Sequence, residues 1–386
     1  MEDERRNCPL GILYVAGSLE KAGYKVEIID LREQPRDKWD NIPLSDIYGI
    51  TSSSADFPYA KEVADFLRAR QDCWVIIGGP HSLALDECLN NGFSVVVGEG
   101  EIAILDMLEN NLRTSQSPLI KNMDNIPFPA RHLLPKESVV STTLCHQGVP
   151  ATTIISSRGC PFNCTYCASP RLWRKVRRHS PEYVITEVGS LVRDYGIKEI
   201  RFQDDELNLS KDWLERIAPI STMVKFRCNA RAEVGNWKYL KQAGCYEVGI
   251  GVETAHPLAH EIHKGTPLDK TRRGIWQAYQ AGLEVRLFFI IGLPYDHGNI
   301  SDRTIRFLEA MPPLVGVHLN IFSPFPGSAI GDNPEKFGVR VLENPVSILS
   351  QEGKPHFTYK LQGVNNLERH YERIRNYIGE KRWVLP

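Results

Sequence analysis

The sequence predicts an α/β protein of two domains, in which an open parallel sheet is followed by a partial barrel of six strand-helix units. Its 386 residues exceed the ~100–200 residues that one hydrophobic core usually serves. Short β-branched runs alternate with amphipathic helical stretches along most of the chain, which is typical of parallel sheets covered by helices. The alternation stops where Pro127, Pro129 and Pro135 cluster, and this break predicts a connection between the domains.

The N-terminal domain is predicted to be Rossmann-like. Its first helix runs from Leu10 to Ala22 and ends near Gly23, as expected where a glycine caps a helix. Residues 1–7 are polar, so no apolar strand precedes this helix. Either the domain lacks its first strand or the chain is a shortened version of something longer. The predicted strands are Lys25 to Leu31, Ile47 to Thr51, Trp74 to Ile77 and Val95 to Val97.

The second domain is predicted to be the partial (β/α)6 barrel, because its six strand-like runs are too few for a closed eight-stranded barrel. We expect residues 1–125 to form the N-terminal domain, 126–150 a linker, 151–334 the barrel and 335–386 a C-terminal extension with a helix from Asn366 to Gly379. The strand-like runs are Thr153 to Ser156, Glu199 to Phe202, Lys225 to Cys228, Glu247 to Gly251, Val285 to Ile291 and Val317 to Phe322.

Composition narrows the function and the compartment. Lys and Arg number 46 against 47 Asp and Glu, for a net charge of -1, so a nucleic acid is not an expected partner. The sequence shows no signal peptide and no apolar run near the ~20 residues that span a bilayer, which predicts a cytoplasmic protein. Nine cysteines, three of them within eight residues, predict metal binding in a reducing compartment rather than a disulfide framework.

Three cysteines share one short loop after the first strand of the second domain. Cys160, Cys164 and Cys167 have the spacing CxxxCxxC, and thiolates select zinc or iron-sulfur clusters. Three ligands can hold three corners of a cubane and leave its fourth iron open for a substrate. The alternative is structural zinc, which needs four protein ligands; the fourth would be Cys145, His146, Cys228 or Cys245.

Charged residues also follow later strands of this domain. Asp204 and Asp205 come after the second strand, Arg231 after the third, and Glu253 after the fourth. Side chains at the carboxyl ends of barrel strands face the mouth of the barrel, where carboxylates can fix a cationic amine. Two other interpretations stay open: the acids begin a solvated helix, and Arg231 forms a surface ion pair.

With these segments in this order, the sequence resembles the radical S-adenosylmethionine (SAM) superfamily, and more narrowly its branch with an N-terminal cobalamin-binding-type domain. The resemblance covers residues 9–330. It implies that the three cysteines hold a 4Fe-4S cluster whose open iron binds SAM, and that reductive cleavage of SAM gives methionine and a 5'-deoxyadenosyl radical. Tyr166 occupies the aromatic position of the motif, and in relatives its ring lies beside the SAM adenine.

The resemblance also implies the SAM contacts. The segment Gln203 to Glu206 is similar to the one that receives the SAM ammonium group, and Gly249 to Thr254 to the one that contacts its ribose and carboxylate. Phe289 to Pro294 is similar to the segment that borders the adenine, and Ser323 to Ser328 to the one that shapes the substrate side of the mouth. The implied SAM-binding residues are Tyr166, Asp204, Asp205, Arg231, Glu253, Thr254, Arg286 and Gly292.

In the N-terminal domain, successive strand ends predict one binding edge, because ligands of open parallel sheets lie at the carboxyl ends of the strands. Ser52 and Ser53 follow one strand, and Gly78 and Gly79 follow the next. Cobalamin-binding domains have serines and glycines at similar positions, and glycines let a bulky ligand approach the backbone. The family's Asp-x-His-x-x-Gly motif is absent, so it supplies no histidine ligand to cobalt. The alternative is a remnant domain whose glycines are ordinary turn residues.

The resemblance predicts cobalamin-dependent methylation of an unactivated carbon, from which the radical first removes a hydrogen atom. One alternative is the same radical chemistry without methyl transfer, for dehydration, epimerisation or rearrangement of a sugar or antibiotic precursor. A zinc-stabilised binding module is the non-catalytic alternative. The expected partners are a small-molecule substrate and a one-electron reductant such as flavodoxin or ferredoxin, with no membrane involved.

Overall fold

The computed structural model describes residues 7–32, 34–144, 148–173, 175–342, 357–381 and 383. The chain forms two compact units, residues 1–153 and residues 154–386. Within the described ranges, no helix is long and apolar enough to cross a membrane. The cysteines of these ranges are all free of disulfide bonds.

A parallel sheet of four strands forms the centre of the first unit. Its strands are β1 (Ile47–Thr51), β2 (Trp74–Gly78), β3 (Ser94–Val96) and β4 (Thr114–Ser115). Its helices are α1 (Leu10–Lys21), α2 (Phe57–Arg70), α3 (Leu85–Asn90), α4 (Gly100–Asn110) and the short α5 (Lys136–Val139). The strands lie in the order β1-β2-β3-β4, so each one neighbours the next along the chain.

Both faces of this sheet are buried, because side chains alternate along β2. Val75 and Ile77 belong to one hydrophobic cluster with Phe57 of α2. Ile76 belongs to a different cluster with Met107 of α4. A strand that is buried on both faces has a continuous apolar sequence, which explains why the sequence predicts β2 correctly.

The predicted strand Lys25 to Leu31 is wrong, because these residues form no strand in the structure. Ile29 remains 42% exposed. In one doubly wound order the second strand pairs with the first, and no strand precedes α1 among the described residues. A sequence with strand propensity needs a neighbouring strand to form a ladder. The same gap leaves β1 at the edge of the sheet, where Ile47 is 42% exposed.

The six-stranded sheet that the sequence predicts belongs to the second unit, except for residues 151–153 of one edge strand. In chain order the strands are β5 (Ala151–Ile154), β6 (Ser157–Arg158), β7 (Arg177–Arg178), β8 (Glu199–Phe202), β9 (Lys225–Asn229), β10 (Cys245–Glu253), β11 (Glu284–Ile291), β12 (Gly316–Ile321), β13 (Val339–Val341) and β14 (Tyr359–Leu361). The helices are α6 (Ser169–Trp173), α7 (Pro181–Tyr195), α8 (Lys211–Ile217), α9 (Trp237–Gln242), α10 (Pro257–Lys264), α11 (Leu268–Gln280), α12 (Ile300–Glu309), α13 (Ala329–Asp332) and α14 (Leu367–Glu380).

The order of this sheet is β12-β11-β10-β9-β8-β5, and the strands from β8 to β12 pair in parallel. Helices connect successive strands, so the carboxyl ends of the parallel strands share one edge of the sheet. The cysteine motif follows β5 and β6, and the later charged segments follow β8, β9 and β10. The fold therefore brings these motifs to a common edge.

The C-terminal segment packs onto the same sheet. Strands β13 and β14 form an antiparallel pair, and α14 contacts α12, β11 and β12. Ile374 and Ile378 of α14 are fully buried. This segment is thus part of the second unit, and its predicted helix is displaced by one residue at each end.

Candidate functional site

The three cysteines lie in residues 159–168, which we call the cysteine loop. Strands β6 and β7 pair on either side of it, with Arg158 opposite Arg177, so a two-stranded stem closes the segment. Gly159 begins the loop with a φ of +92°, and a Cβ atom there would lie 2.5 Å from the carbonyl oxygen of Lys175. Only glycine fits this turn.

The three thiols are half-buried and free. Burial raises the pKa of Cys160 to about 12 and that of Cys167 to about 11, and Cys164 lies close enough to contribute to both shifts. Iron binds thiolates, so cluster assembly releases these protons. In the described part of the chain, no three His, Cys, Asp or Glu side chains converge on one metal ion. A cubane cluster does not require three side chains to converge on one metal ion, because each of its cysteines binds a different iron.

The residues proposed as a fourth zinc ligand are only partly described. Cys228 and Cys245 are buried in β9 and β10, and their sulfurs lie 3.9 Å apart. Cys145 and His146 lie outside the described residues.

A histidine that the sequence did not point to anchors the cysteine loop. His263 is 1% exposed, and its carbonyl oxygen accepts the Thr165 N–H at 3.2 Å. Its Nε2 donates to the Pro294 carbonyl at 2.7 Å, so Nδ1 is the acceptor for the Thr165 hydroxyl at 2.5 Å. Burial lowers the pKa of His263. The ring is therefore kept neutral, so that Nε2 can donate while Nδ1 accepts.

The acidic segment after β8 separates into three roles. Asp204 is 1% exposed and accepts hydrogen bonds from the Ser156 N–H at 3.0 Å and the Ser156 hydroxyl at 2.7 Å. It therefore ties the end of β8 to the segment after β5. Asp205 accepts from the Ser169 hydroxyl at 2.5 Å. Glu206 has one buried carboxylate oxygen that no described group hydrogen-bonds, and burial raises its pKa to about 8.

Glu253 lies at the end of β10 in a left-handed conformation, with a φ of +68°. Such a conformation costs about 1–3 kcal/mol and is found mainly at functional sites. The pairing of β10 with β11 shifts register here, which redirects the carboxylate. Its Oε1 lies 3.6 Å from the Lys264 ammonium, and Glu253 lies close enough to Tyr166 to help raise the pKa of that phenol. Lys264, which the sequence analysis missed, also donates to the Gly251 carbonyl at 2.5 Å.

Two predicted SAM contacts are already engaged within the protein. The Thr254 hydroxyl donates to Asp296 at 2.7 Å, so it supports a neighbouring loop. Arg286 forms a buried ion pair with Glu247, at 2.7 Å between Nε and Oε1. It lies five residues before the end of β11, about 17 Å from the carboxyl edge. Arg286 is thus held by Glu247, and its assignment to SAM stays a prediction.

Arg231 and Gly292 are both held by contacts from distant segments. Arg231 is 4% exposed and contacts Cys164, with 3.5 Å between Nη1 and Sγ; it is no surface ion pair. Gly292 has a φ of +89°, and its carbonyl accepts the Tyr359 hydroxyl at 2.9 Å.

In the first unit, the serine and glycine loops meet at the carboxyl ends of β1 and β2. The Ser52 N–H donates to the Gly78 carbonyl at 3.0 Å, and the Ser53 hydroxyl donates to Asp56 at 2.6 Å. Gly79 has a φ of +88°, and a Cβ atom there would lie 2.9 Å from the Ser52 carbonyl oxygen. These glycines keep the edge free of side chains, which fits the close approach of a large cofactor.

Two family models match the chain: the radical SAM superfamily over residues 154–308 and the B12 binding domain over residues 6–108. An uncharacterised methyltransferase of Pyrococcus horikoshii is 31% identical, with coverage of 83% of this chain and 77% of that protein. Cytidylyl-2-hydroxyethylphosphonate methyltransferase of Streptomyces wedmorensis is 27% identical, with coverage of 76% and 70%. The structure of the radical SAM methyltransferase TsrM from Kitasatospora setae, with cobalamin and a 4Fe-4S cluster bound, has the same fold. Its TM-score is 0.73 at 14% identity, with coverage of 98% of this chain and 88% of that one.

Proposed function

This chain belongs to the radical SAM superfamily and carries a B12-binding domain, and from that membership we propose that it is a cobalamin-dependent methyltransferase acting on an unactivated carbon. The observation that carries the proposal is the presence of both domains in one chain. The similarity to two methyltransferases supports it. When bound, the cluster and SAM supply the 5'-deoxyadenosyl radical, and cobalamin carries the methyl group.

Within the second unit, the chain's own residues hold and orient these groups. Cys160, Cys164 and Cys167 ligate the cluster. Glu206 receives the SAM ammonium group, because it has a buried carboxylate oxygen without a hydrogen-bond partner among the described residues and lies close enough to Cys160 to affect the pKa of its thiol. Glu253 lies beside Tyr166, since each group affects the pKa of the other, and it helps to form the SAM side of the site.

Within the first unit, the edge formed by Ser52, Ser53, Gly78 and Gly79 receives cobalamin. The close contact of Gly79 with the Ser52 backbone supports this assignment. Ser82 is fully buried and lies three residues after Gly79. Its hydroxyl has no hydrogen-bond partner among the described residues. A polar cofactor atom nearby or a bound water would satisfy it.

The substrate is proposed to be a small molecule. Reductive cleavage of SAM needs one electron, which we assign to a flavodoxin or ferredoxin. Free thiols throughout the described chain suit the reducing conditions of the cytoplasm.

Anaerobic reconstitution tests the proposal directly. After treatment with iron and sulfide, we expect a reduced 4Fe-4S signal in paramagnetic resonance that changes when SAM is added. After incubation with hydroxocobalamin and gel filtration, we expect about one retained cobalt per chain. A SAM-sensitive cluster without retained cobalt would leave a radical SAM enzyme but exclude the methyltransferase. Absence of the cluster signal would exclude both.

The Glu206→Gln variant tests the assignment of the SAM ammonium group. Removal of one charge-assisted hydrogen bond, worth about 1.5–3 kcal/mol, is expected to raise the KM for SAM at least about tenfold. The Asp205→Asn variant is the matched control, because asparagine can still accept the Ser169 hydroxyl. We expect its KM to change less than about threefold. A larger effect at Asp205 than at Glu206 would reverse the assignment.

A further inference from the structure

The guanidinium group of Arg231 contacts the cysteine loop on two sides. Its Nη1 lies 3.5 Å from Cys164 Sγ, and its centre lies 3.7 Å from the centroid of the Phe162 ring. Both partners belong to the loop that carries the three cysteines. Arg231 itself follows β9, about seventy residues later in the chain.

Two further contacts fix the orientation of this guanidinium. Nη2 donates to the Lys264 carbonyl at 2.6 Å, and Nε donates to Glu233 at 3.0 Å. Glu233 is itself held by the Thr271 hydroxyl of α11. The side chain of Arg231 is 3% exposed, so its positive charge is fixed in place and shielded from solvent.

We propose that Arg231 donates a hydrogen bond to the sulfur of Cys164 and thereby raises the reduction potential of the 4Fe-4S cluster. This inference rests on the proposed function, because it assumes that the three cysteines ligate the cluster. Arg231 is a positioning residue in this role, since it acts on the cluster through Cys164.

The physical reason is the charge that the cluster gains on reduction. Hydrogen bonds to cluster sulfurs and nearby positive charges stabilise the reduced, more negative form. A buried charge is screened little by salt, and a guanidinium stays protonated at any physiological pH. Carboxylates nearby act in the opposite direction: Glu233 pairs with Arg231 itself, and Glu206 and Asp205 both lie close enough to affect Cys160. Arg231 offsets that negative field next to the ligand that it contacts.

The family resemblance suggested a different role, a contact between Arg231 and SAM. A direct SAM contact predicts a raised KM for SAM and an unchanged potential in variants of Arg231. Contact through Cys164 predicts a lowered potential, measured before SAM is added. The two roles are therefore separated by a measurement on the SAM-free protein.

The test is a redox titration of the reconstituted full chain in the presence of mediator dyes. Paramagnetic resonance measures the reduced cluster at each potential. Arg231→Gln is expected to bind the same amount of iron and sulfide as the wild type and to have a more negative midpoint potential. Arg231→Lys keeps the charge but has a single ammonium in place of the planar fork, so we expect an intermediate potential. Arg216→Gln removes an exposed arginine of the same unit and is expected to match the wild type.

A wild-type potential in Arg231→Gln would overturn the inference, and so would an equal shift in Arg216→Gln. If Arg231→Gln fails to assemble a cluster, the lysine variant decides: a lowered potential supports the role, and a wild-type potential overturns it. Failure of the proposed function would look different: either the wild-type chain itself would assemble no 4Fe-4S cluster, or it would assemble the cluster and retain no cobalt, which leaves the potentials of the variants unaffected.

Discussion

Replacement of Cys164 by alanine is expected to reduce 5'-deoxyadenosine formation to background. Loss of an outer-shell partner of a metal site costs about 10–100-fold, and loss of a ligand removes more. Cys164 is the central cysteine of the loop, since it affects the thiols of both Cys160 and Cys167. The iron content of the reconstituted protein should fall with the activity. Chromatography of the product and iron analysis are the measurements.

The matched control is Cys228→Ala, which removes a buried cysteine of β9 that the zinc hypothesis offered as a fourth ligand. We expect this variant to keep its iron and to form 5'-deoxyadenosine. Loss of metal from Cys228→Ala would revive a four-cysteine site. A Cys164→Ala variant with wild-type product formation would place the cluster elsewhere in the chain.

Much of the architecture could be predicted from the sequence because its strands have clear local patterns. β8 is predicted residue for residue, and the ends of the other strands of the six-stranded sheet are predicted within two residues. Continuous apolar runs such as Leu287 to Ile291 of β11 are typical of strands buried on both faces. The failure at Lys25 to Leu31 has a different origin. Its apolar residues have a high strand propensity, but a strand also needs a neighbouring strand to pair with. The propensity of a residue depends only on the local sequence, so it does not show whether that neighbour exists.

The sequence predicts the motifs of the site, but it does not predict which residue of a motif has which role. Asp204 and Glu206 are two residues apart, yet Asp204 is bound by Ser156, whereas one oxygen of Glu206 has no hydrogen-bond partner in the part of the chain that the structure describes. That difference depends on the direction in which each side chain leaves the end of β8. The sequence gives no sign of the Arg286 ion pair for a related reason, because its partner Glu247 lies on the adjacent strand. Cross-strand contacts of this kind depend on register.

The residues that the sequence analysis missed act over long separations in the chain. His263 holds Thr165 from 98 residues away, and Lys264 approaches Glu253 from the end of α10. A single histidine or lysine on an amphipathic helix gives no local signal of such a contact. The C-terminal segment is the extreme case, because nothing in its sequence indicates that Tyr359 bonds Gly292.

Replacement of Gly292 by alanine is expected to destabilise the second unit and weaken SAM binding. Two costs add: a left-handed backbone, with a φ of +89°, costs an L-residue about 1–2 kcal/mol. The new Cβ atom would also lie 2.0 Å from the Tyr359 hydroxyl oxygen, and overpacking of this kind costs about 1–3 kcal/mol. We expect a total loss of roughly 3 kcal/mol in urea denaturation. The KM for SAM should rise, because the resemblance makes this loop the border of the adenine.

Two further variants separate the backbone cost from the clash. Gly298→Ala has a similar φ of +77°, but its added methyl group would meet only the Arg303 guanidinium, at an ordinary contact distance of 3.9 Å, so we expect a loss of only about 1 kcal/mol. Tyr359→Phe removes the hydroxyl that the methyl group would meet and loses one hydrogen bond, at about 1 kcal/mol. Gly292→Ala combined with Tyr359→Phe should then be less destabilised than the sum of the single variants, by about 1 kcal/mol or more. The prediction would be contradicted if the losses of unfolding free energy were strictly additive, or if Gly292→Ala and Gly298→Ala lost the same amount. Either result would mean that Tyr359 does not pack tightly against this loop. Coupling would show that the least predictable part of the chain holds one of its most recognisable motifs in shape.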